Sequence, residues 1–248
     1  MTPQRCWVLP LLCLGLALEI LVTHSNVALF LWLNQISHAL PAWVWSHLTT
    51  MGDAALAPLC LLPWWRRRPD LLWAGLLAAL LAFLFSHGLK HWFDAPRPPA
   101  VLTVSVIGPR LLHSSFPSGH TTAIFTVIGL FVLGFPLRTR WLVALVLLAG
   151  AVGYSRIALG VHWPLDVLVG AAGGWICAML GILMAHRWPQ GQDRGRGIAL
   201  LILLALAFYD LWRGPNGMPG IQPFQKGITM VCLLTAIWPL FNMRPKQP

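Results

Sequence analysis

Charge is what this sequence has least of. Of its 248 residues only 7 are Asp or Glu and 17 are Lys or Arg, a tenth of the chain, where a soluble domain carries roughly a quarter. Long polar stretches are missing too: 57% of the residues are hydrophobic and the mean hydropathy is +0.70. These shortages exclude an ordinary soluble domain and point to an all-α integral membrane protein, a single polytopic helical bundle. The net charge of +10 does not indicate nucleic acid, because the basic residues fall in short clusters between apolar runs instead of forming one face. Cysteine is sparse and scattered (Cys6, Cys13, Cys60, Cys177, Cys232), with no CxxC or Cys/His spacing, so neither a zinc site nor a disulfide framework is expected. No HExxH occurs, which disfavours a zinc membrane protease.

The apolar runs set out a topology. The first, 7–22, follows a basic start at Arg5. It reads as a retained helix, not a cleaved signal peptide, because no A-x-A-like site closes it and Glu19 interrupts it. Residues 25–48 carry a partial apolar stripe (Val27, Phe30, Leu31) followed by Asn34, Gln35 and His38, and are expected to lie as an amphipathic helix at the membrane interface. Further spans are expected at 50–65, 71–91, 119–136, 141–158, 165–186, 197–212 and 227–242, making eight in all. Trp64, Trp65, Trp141, Trp163, Trp188 and Trp212 stand near the ends of apolar runs, as interfacial anchors do. A polar break at 189–197 is the one candidate boundary. The chain thus divides into a first helix and interfacial segment (1–49), a helical core (50–188) and a C-terminal helical tail of two spans (189–248).

Eight spans place both termini on one side. That side receives Arg5, Arg66, Arg67, Arg68, Arg138, Arg140, Arg187, Arg194, Arg196, Arg244 and Lys246; the other receives Lys90, Arg97, Arg110, Arg156, Arg213 and Lys226. By the positive-inside rule the first side is cytoplasmic. The second then faces outward, the periplasmic side if the chain belongs to a bacterial inner membrane.

The residues suited to chemistry gather on that outward side. "KHWFDAPRP" (90–98) ends one span, "PSGH" (117–120) opens the next, and "SRIALGVHWPLD" (155–166) joins two more. Lys90, Arg97 and Arg156 make a site for a multiply charged anion, the arginine forks matching phosphate oxygens in pairs. Ser118 and Gly119 open a helix whose free N–H groups form an anion cradle, and glycine lets the ligand come close to the backbone. His162 and Asp166, four apart, meet on one helix face, so the carboxylate can hold one ring nitrogen and leave the other as base or nucleophile. His120, beside the cations and without such a partner nearby, is placed to protonate a leaving oxygen. Two histidines with different neighbours can hold different protonation states at one pH.

Lys90-x6-Arg97-Pro98, then Pro117-Ser118-Gly119-His120, then Ser155-Arg156-x5-His162-x3-Asp166 resembles the tripartite signature of the type 2 phosphatidic acid phosphatase superfamily. All three blocks are complete and in order, and the resemblance covers about residues 50–186. It implies a six-helix core, with His162 attacking phosphorus to form a phosphohistidine, Asp166 orienting it, and His120 donating the proton to the leaving group. It also implies that Lys90, Arg97, Arg156, Ser118 and the Gly119 amide hold the phosphate in place of a metal, with no cofactor. The expected partner is a membrane lipid phosphate in the bilayer, with no nucleic acid. The resemblance suggests undecaprenyl diphosphate, phosphatidylglycerophosphate, phosphatidic acid or lipid A phosphate, and undecaprenyl diphosphate is ranked first. The alternatives are a lipid phosphotransferase using the same site and an anionic-lipid transporter without turnover.

Other polar residues read as structural. Glu19 and Asp53 are expected to make structural hydrogen bonds, although ionisable residues in spans are functional candidates by default. His91 and Asp94 lie inside the first block but not at its signature positions, His113 stands just before the second, and Arg110 is a candidate headgroup contact. Gly170, Gly173 and Gly174 are expected to permit close helix packing.

Overall fold

The computed structural model describes residues 6–214, 218 and 220–241. It is helical as expected, but the helices are divided differently. α1 (Val8–Thr23) and α2 (Asn26–Ser37) meet at a bend of 115° next to His24, which adopts the left-handed conformation (φ 51°). A second short helix, α3 (Ala42–Thr50), follows with Pro41 at its N-cap, so the single helix expected over 25–48 is two. Proline has no N–H to continue the α2 ladder, which breaks the run there. α2 reverses the pattern of a soluble helix. Phe30, Asn34 and Ser37 point inward while Val27, Leu31, Trp32 and Ile36 are exposed. Asn34 donates from Nδ2 to the carbonyls of Ile157 (2.9 Å) and Ala158 (3.2 Å), tying α2 to the end of a later helix.

The span expected over 50–65 is not an α-helix. It is a run of turns leading into an eight-residue 3-10 helix, Ala57–Trp64, with Pro58 and Pro63 in it. At about 2 Å rise per residue such a helix is far shorter than the roughly 30 Å of a hydrocarbon core. The segment nonetheless runs alongside the whole of α5 (Gly119–Gly134). At one end a Cβ on Gly52 would sit 2.9 Å from the His120 carbonyl; at the other, Arg68 donates from Nη1 to Gly134 O at 2.9 Å. Irregular backbone is tolerated at membrane depth when protein surrounds it, and Leu56, Leu59, Leu61 and Leu62 are all buried.

The remaining helices are α4 (Pro69–Phe93), α6 (Thr139–Ala158), α7 (Pro164–Arg187), α8 (Gln192–Trp212) and α9 (Gln222–Phe241). Among the described residues four helical stretches (69–101, 139–158, 164–187 and 189–212) are long and apolar enough to cross a membrane, five if the bent α1–α2 pair counts as one. The eight expected spans are therefore reduced: α5 is a shorter apolar helix of 16 residues, and 50–65 is the 3-10 segment. Residue 242 of the last expected span lies outside the described residues.

α7 is the centre of the bundle, and its glycines work as the sequence suggests. A Cβ at Gly174 would strike the Thr122 carbonyl of α5, one at Gly170 would lie 2.9 Å from Ser118 O, and one at Gly173 would strike the Phe85 ring of α4. These contacts press the N-terminus of α5 against the first turn of α7, where Ser118 N donates to Asp166 O at 3.0 Å. The C-terminal helices share a core with the rest: Leu203 and Ala207 of α8 and Cys232 of α9 join Leu59, Leu62 and Leu72. Buried Asp210 accepts from Gln225 Nε2 (2.7 Å), the Thr229 hydroxyl and Arg213 Nη2 (2.7 Å), and Arg213 reaches Asp53 at 3.0 Å. Asp53 also accepts from the amides of Ala55 and Leu56, so it makes the structural hydrogen bonds expected of it.

Of the tryptophans, Trp141, Trp188 and Trp212 are exposed at helix ends. Trp163 departs from the anchor reading. It is buried against Phe30 and donates from Nε1 to Pro96 O at 2.8 Å, pinning the loop that carries His162 to the one that carries Arg97.

Candidate active site

Helix ends bring the three sequence blocks together. Lys90 lies in the last turn of α4, Arg97 just before a single helical turn (Pro98–Val101), Ser118 at the N-cap of α5, Arg156 in the last turn of α6, His162 in the α6–α7 loop and Asp166 in the first turn of α7. A cavity of about 430 Å³ is lined by Lys90, Arg97, Gly119, His120, Arg156 and His162. Away from these it continues between apolar side chains that include Ala79, Ala82, Phe83, Ala123 and Val127. Its size suits a ligand site.

His162 is held at both ring nitrogens. Nδ1 lies 3.1 Å from Asp166 Oδ2, and Nε2 lies 3.1 Å from Arg97 Nη1. A guanidinium only donates, so Nε2 must be the acceptor and Nδ1 carries the proton toward the carboxylate. Asp166 Oδ2 also accepts from the Trp163 amide (2.9 Å) and the Ser115 hydroxyl, which fixes the carboxylate. His162 and Asp166 are each about 2% exposed. Burial first, then the positive charges of Arg97, Arg156 and Lys90, hold the His162 pKa well below the usual histidine value. The ring is therefore neutral, with a lone pair at Nε2.

The cations are positioned by neutral oxygens, not by carboxylates. Lys90 Nζ donates to Ser114 O (2.7 Å); Arg97 donates to His113 O (2.8 Å), Val161 O (3.0 Å) and Ser114 O (3.2 Å). Arg156 donates from Nη1 to Thr49 Oγ1 (2.6 Å), while its buried Nε has no partner among the described residues. Their charge is thus left for an anion. The Ser118 hydroxyl does not face the cavity freely. It accepts from Thr121 N (3.4 Å) and Thr121 Oγ1 (2.9 Å), capping α5. The Gly119 and His120 amides find no acceptor among the described residues, and the His120 ring makes no hydrogen bond there.

All eight predicted site residues converge. Three others were not singled out from the sequence. Ser115 orients Asp166, Thr49 holds Arg156, and Ser86 lines the cavity wall. Ser115 stands just ahead of "PSGH", Ser86 lies one helical turn before Lys90, and Thr49 lies on a distant segment with no local signal. Asp94 accepts from the Ser114 hydroxyl (3.0 Å) at the exposed rim, with His113 4.0 Å away, and Arg110 donates to Pro99 O (3.1 Å).

Fold and site together define a helical bundle of the membrane type with a buried histidine–arginine anion pocket. The chain belongs to the PAP2 superfamily: residues 70–190 match it. The crystal structure of Aquifex aeolicus LpxE superposes with a TM-score of 0.58 at 33% identity, covering 64% of this chain and 94% of that one. The lipid A 1-phosphatase of Rhizobium etli is 40% identical over 115 residues, 46% of this chain and 47% of that protein. The undecaprenyl-diphosphatase BcrC of Bacillus subtilis is 32% identical over 101 residues, 41% of this chain and 50% of that protein. The chain spans about half the length of these curated relatives.

Proposed function

We propose that this chain is a metal-independent lipid phosphatase acting through a phosphohistidine on His162. The observation that carries the reading is the setting of His162, with Asp166 on one nitrogen and the other directed, beside Arg97, into a cavity whose cations lack anionic partners. The apolar extension of the same cavity suits a lipid chain whose phosphate ends at His162.

The reaction follows from these positions. As phosphate enters, Arg97 Nη1 turns its N–H from Nε2 to a phosphate oxygen; the freed Nε2 lone pair bonds to phosphorus as the bond to the leaving oxygen breaks, and that oxygen takes a proton from His120. The phosphate's own negative charge offsets the surrounding cations and lets His120 carry that proton. Asp166 stabilises the positive charge that develops on the ring. Arg97, Arg156, Lys90 and the Gly119 and His120 amides hold the equatorial oxygens, as electrostatic stabilisation of phosphoryl transfer requires. Water then attacks phosphorus, its proton passes to His120, the P–N bond breaks and inorganic phosphate leaves.

The substrate ranked first is undecaprenyl diphosphate, with lipid A phosphate next; one relative is named for each. The site lies at the helix ends opposite Arg68, Arg138 and Arg187, which supports an active site on the extracytoplasmic face. The test is phosphate release by purified protein in detergent with EDTA. Undecaprenyl diphosphate, lipid A, phosphatidylglycerophosphate and phosphatidic acid are offered, with His162→Ala alongside. Release that survives EDTA and vanishes in the variant is expected. Transfer of the phosphoryl group to another lipid with no free phosphate would make the chain a phosphotransferase instead, and equal turnover by His162→Ala would overturn the mechanism.

A further inference from the structure

We infer that Ser86 is an additional phosphate-binding residue, donating its hydroxyl to a phosphate oxygen held against the N-terminus of α5. The inference rests on the reading of the cavity as a phosphate site. Ser86 lies on α4 one turn before Lys90, so the two side chains share a helix face. It is 5% exposed, yet its Oγ has no hydrogen-bond partner among the described residues. Buried hydroxyls are almost always partnered. A serine inside a helix can turn its hydroxyl back onto the carbonyl four residues earlier, as Thr122, Thr126 and Thr50 do here. Ser86 does not.

What lies opposite Ser86 gives the reason. It lines the cavity with Lys90, Gly119, His120, Arg156 and His162. A Cβ built on Gly119 would lie 3.5 Å from Ser86 Oγ and 3.9 Å from Lys90 Cε. The Ser86 hydroxyl, the Lys90 chain and the N-terminus of α5, whose first amides have no acceptor among the described residues, therefore face one another across the cavity. A phosphate oxygen fits there: it accepts from the Ser86 hydroxyl and bears the negative charge that Lys90 and the amides of the α5 N-terminus favour. A neutral hydroxyl adds a directional donor there without adding another cation beside Lys90, Arg97 and Arg156.

The experiment compares wild type, Ser86→Ala and Ser86→Thr as full chains in detergent. Two readouts are taken: kcat/KM on the lipid hydrolysed best, and binding of inorganic phosphate and orthovanadate followed by titration. Losing a hydrogen bond to a charged group lowers kcat/KM about 10- to 100-fold and weakens both anions by a similar factor. Ser86→Thr, which keeps the hydroxyl, is expected to restore most of the loss. The melting temperature of Ser86→Ala should not fall, because no internal bond is broken. Anion binding and kcat/KM within threefold of wild type, or a lowered melting temperature with unchanged anion affinity, would overturn the assignment. If wild type binds phosphate but releases none from any lipid, the phosphatase reading fails while the anion titrations still decide Ser86. If wild type does neither, both readings fall.

Discussion

Replacing Asp166 with Asn removes one charge while leaving the hydrogen-bond geometry largely in place. Oδ2 accepts from Ser115, the Trp163 amide and His162 Nδ1. Three donors converge there, so an Asn must present its carbonyl oxygen at that point, and the ring keeps its tautomer. What is lost is the attraction between a full carboxylate charge and the positive charge that grows on the ring as Nε2 bonds to phosphorus. Unit charges 3.1 Å apart attract by roughly 5 kcal/mol at an effective dielectric of about 20. With about half a charge developed in the transition state, the loss is about 2–3 kcal/mol, or roughly 30- to 150-fold in kcat. KM should change little, because Asp166 binds His162 and not the phosphate. The assay is steady-state phosphate release by Asp166→Asn, with melting in detergent to establish that the variant is folded. A fall in kcat below about fivefold, or a loss carried by KM, would refute the reasoning.

Further tests follow from other contacts. Activity needs neutral His162, so kcat/KM falls as pH drops through its pKa, which lies well below the ordinary value of about 6.5. Lys90→Gln removes one of the charges that lower it. The acid limb of the variant-to-wild-type ratio should therefore move to higher pH, and an unchanged limb would remove Lys90 from that role. His120→Ala should slow hydrolysis of lipid esters about 100-fold or more. It should lose less on an aryl phosphate, whose leaving oxygen needs no proton; equal losses on both would count against His120 as the acid. Gly174→Leu must push α5 away from α7 at the Thr122 carbonyl, so activity and melting temperature should both drop, whereas Gly150→Leu, with nothing near its Cβ position, should melt close to wild type. Asp210→Leu removes the acceptor of buried Gln225 and Thr229 and leaves Arg213 to Asp53 alone, and should destabilise the protein by about 1–3 kcal/mol, read as a lower melting temperature in detergent.

Much of the chemistry is legible along the chain because it sits in short blocks. His162 and Asp166 are one helical turn apart, Ser118 and Gly119 open a helix by local capping rules, and the scarcity of charge makes Lys90, Arg97 and Arg156 conspicuous. The glycines of α7 are readable for the same reason, since only a close neighbour explains so many small residues on one apolar helix. What the local pattern does not contain is which distant groups meet. Thr49 on Arg156, Ser115 on Asp166, Ser86 opposite Gly119 and Arg213 on Asp53 are long-range contacts with no periodicity to announce them. The 50–65 segment is apolar enough to be read as a span, yet its prolines and its burial among helices make it a 3-10 run, because neighbouring helices shield it from lipid. Composition and spacing were enough to indicate a membrane bundle and to single out eight candidate site residues. Only the tertiary structure could assign the tautomer of His162, because that depends on Arg97, 65 residues away, arriving as a pure donor at Nε2.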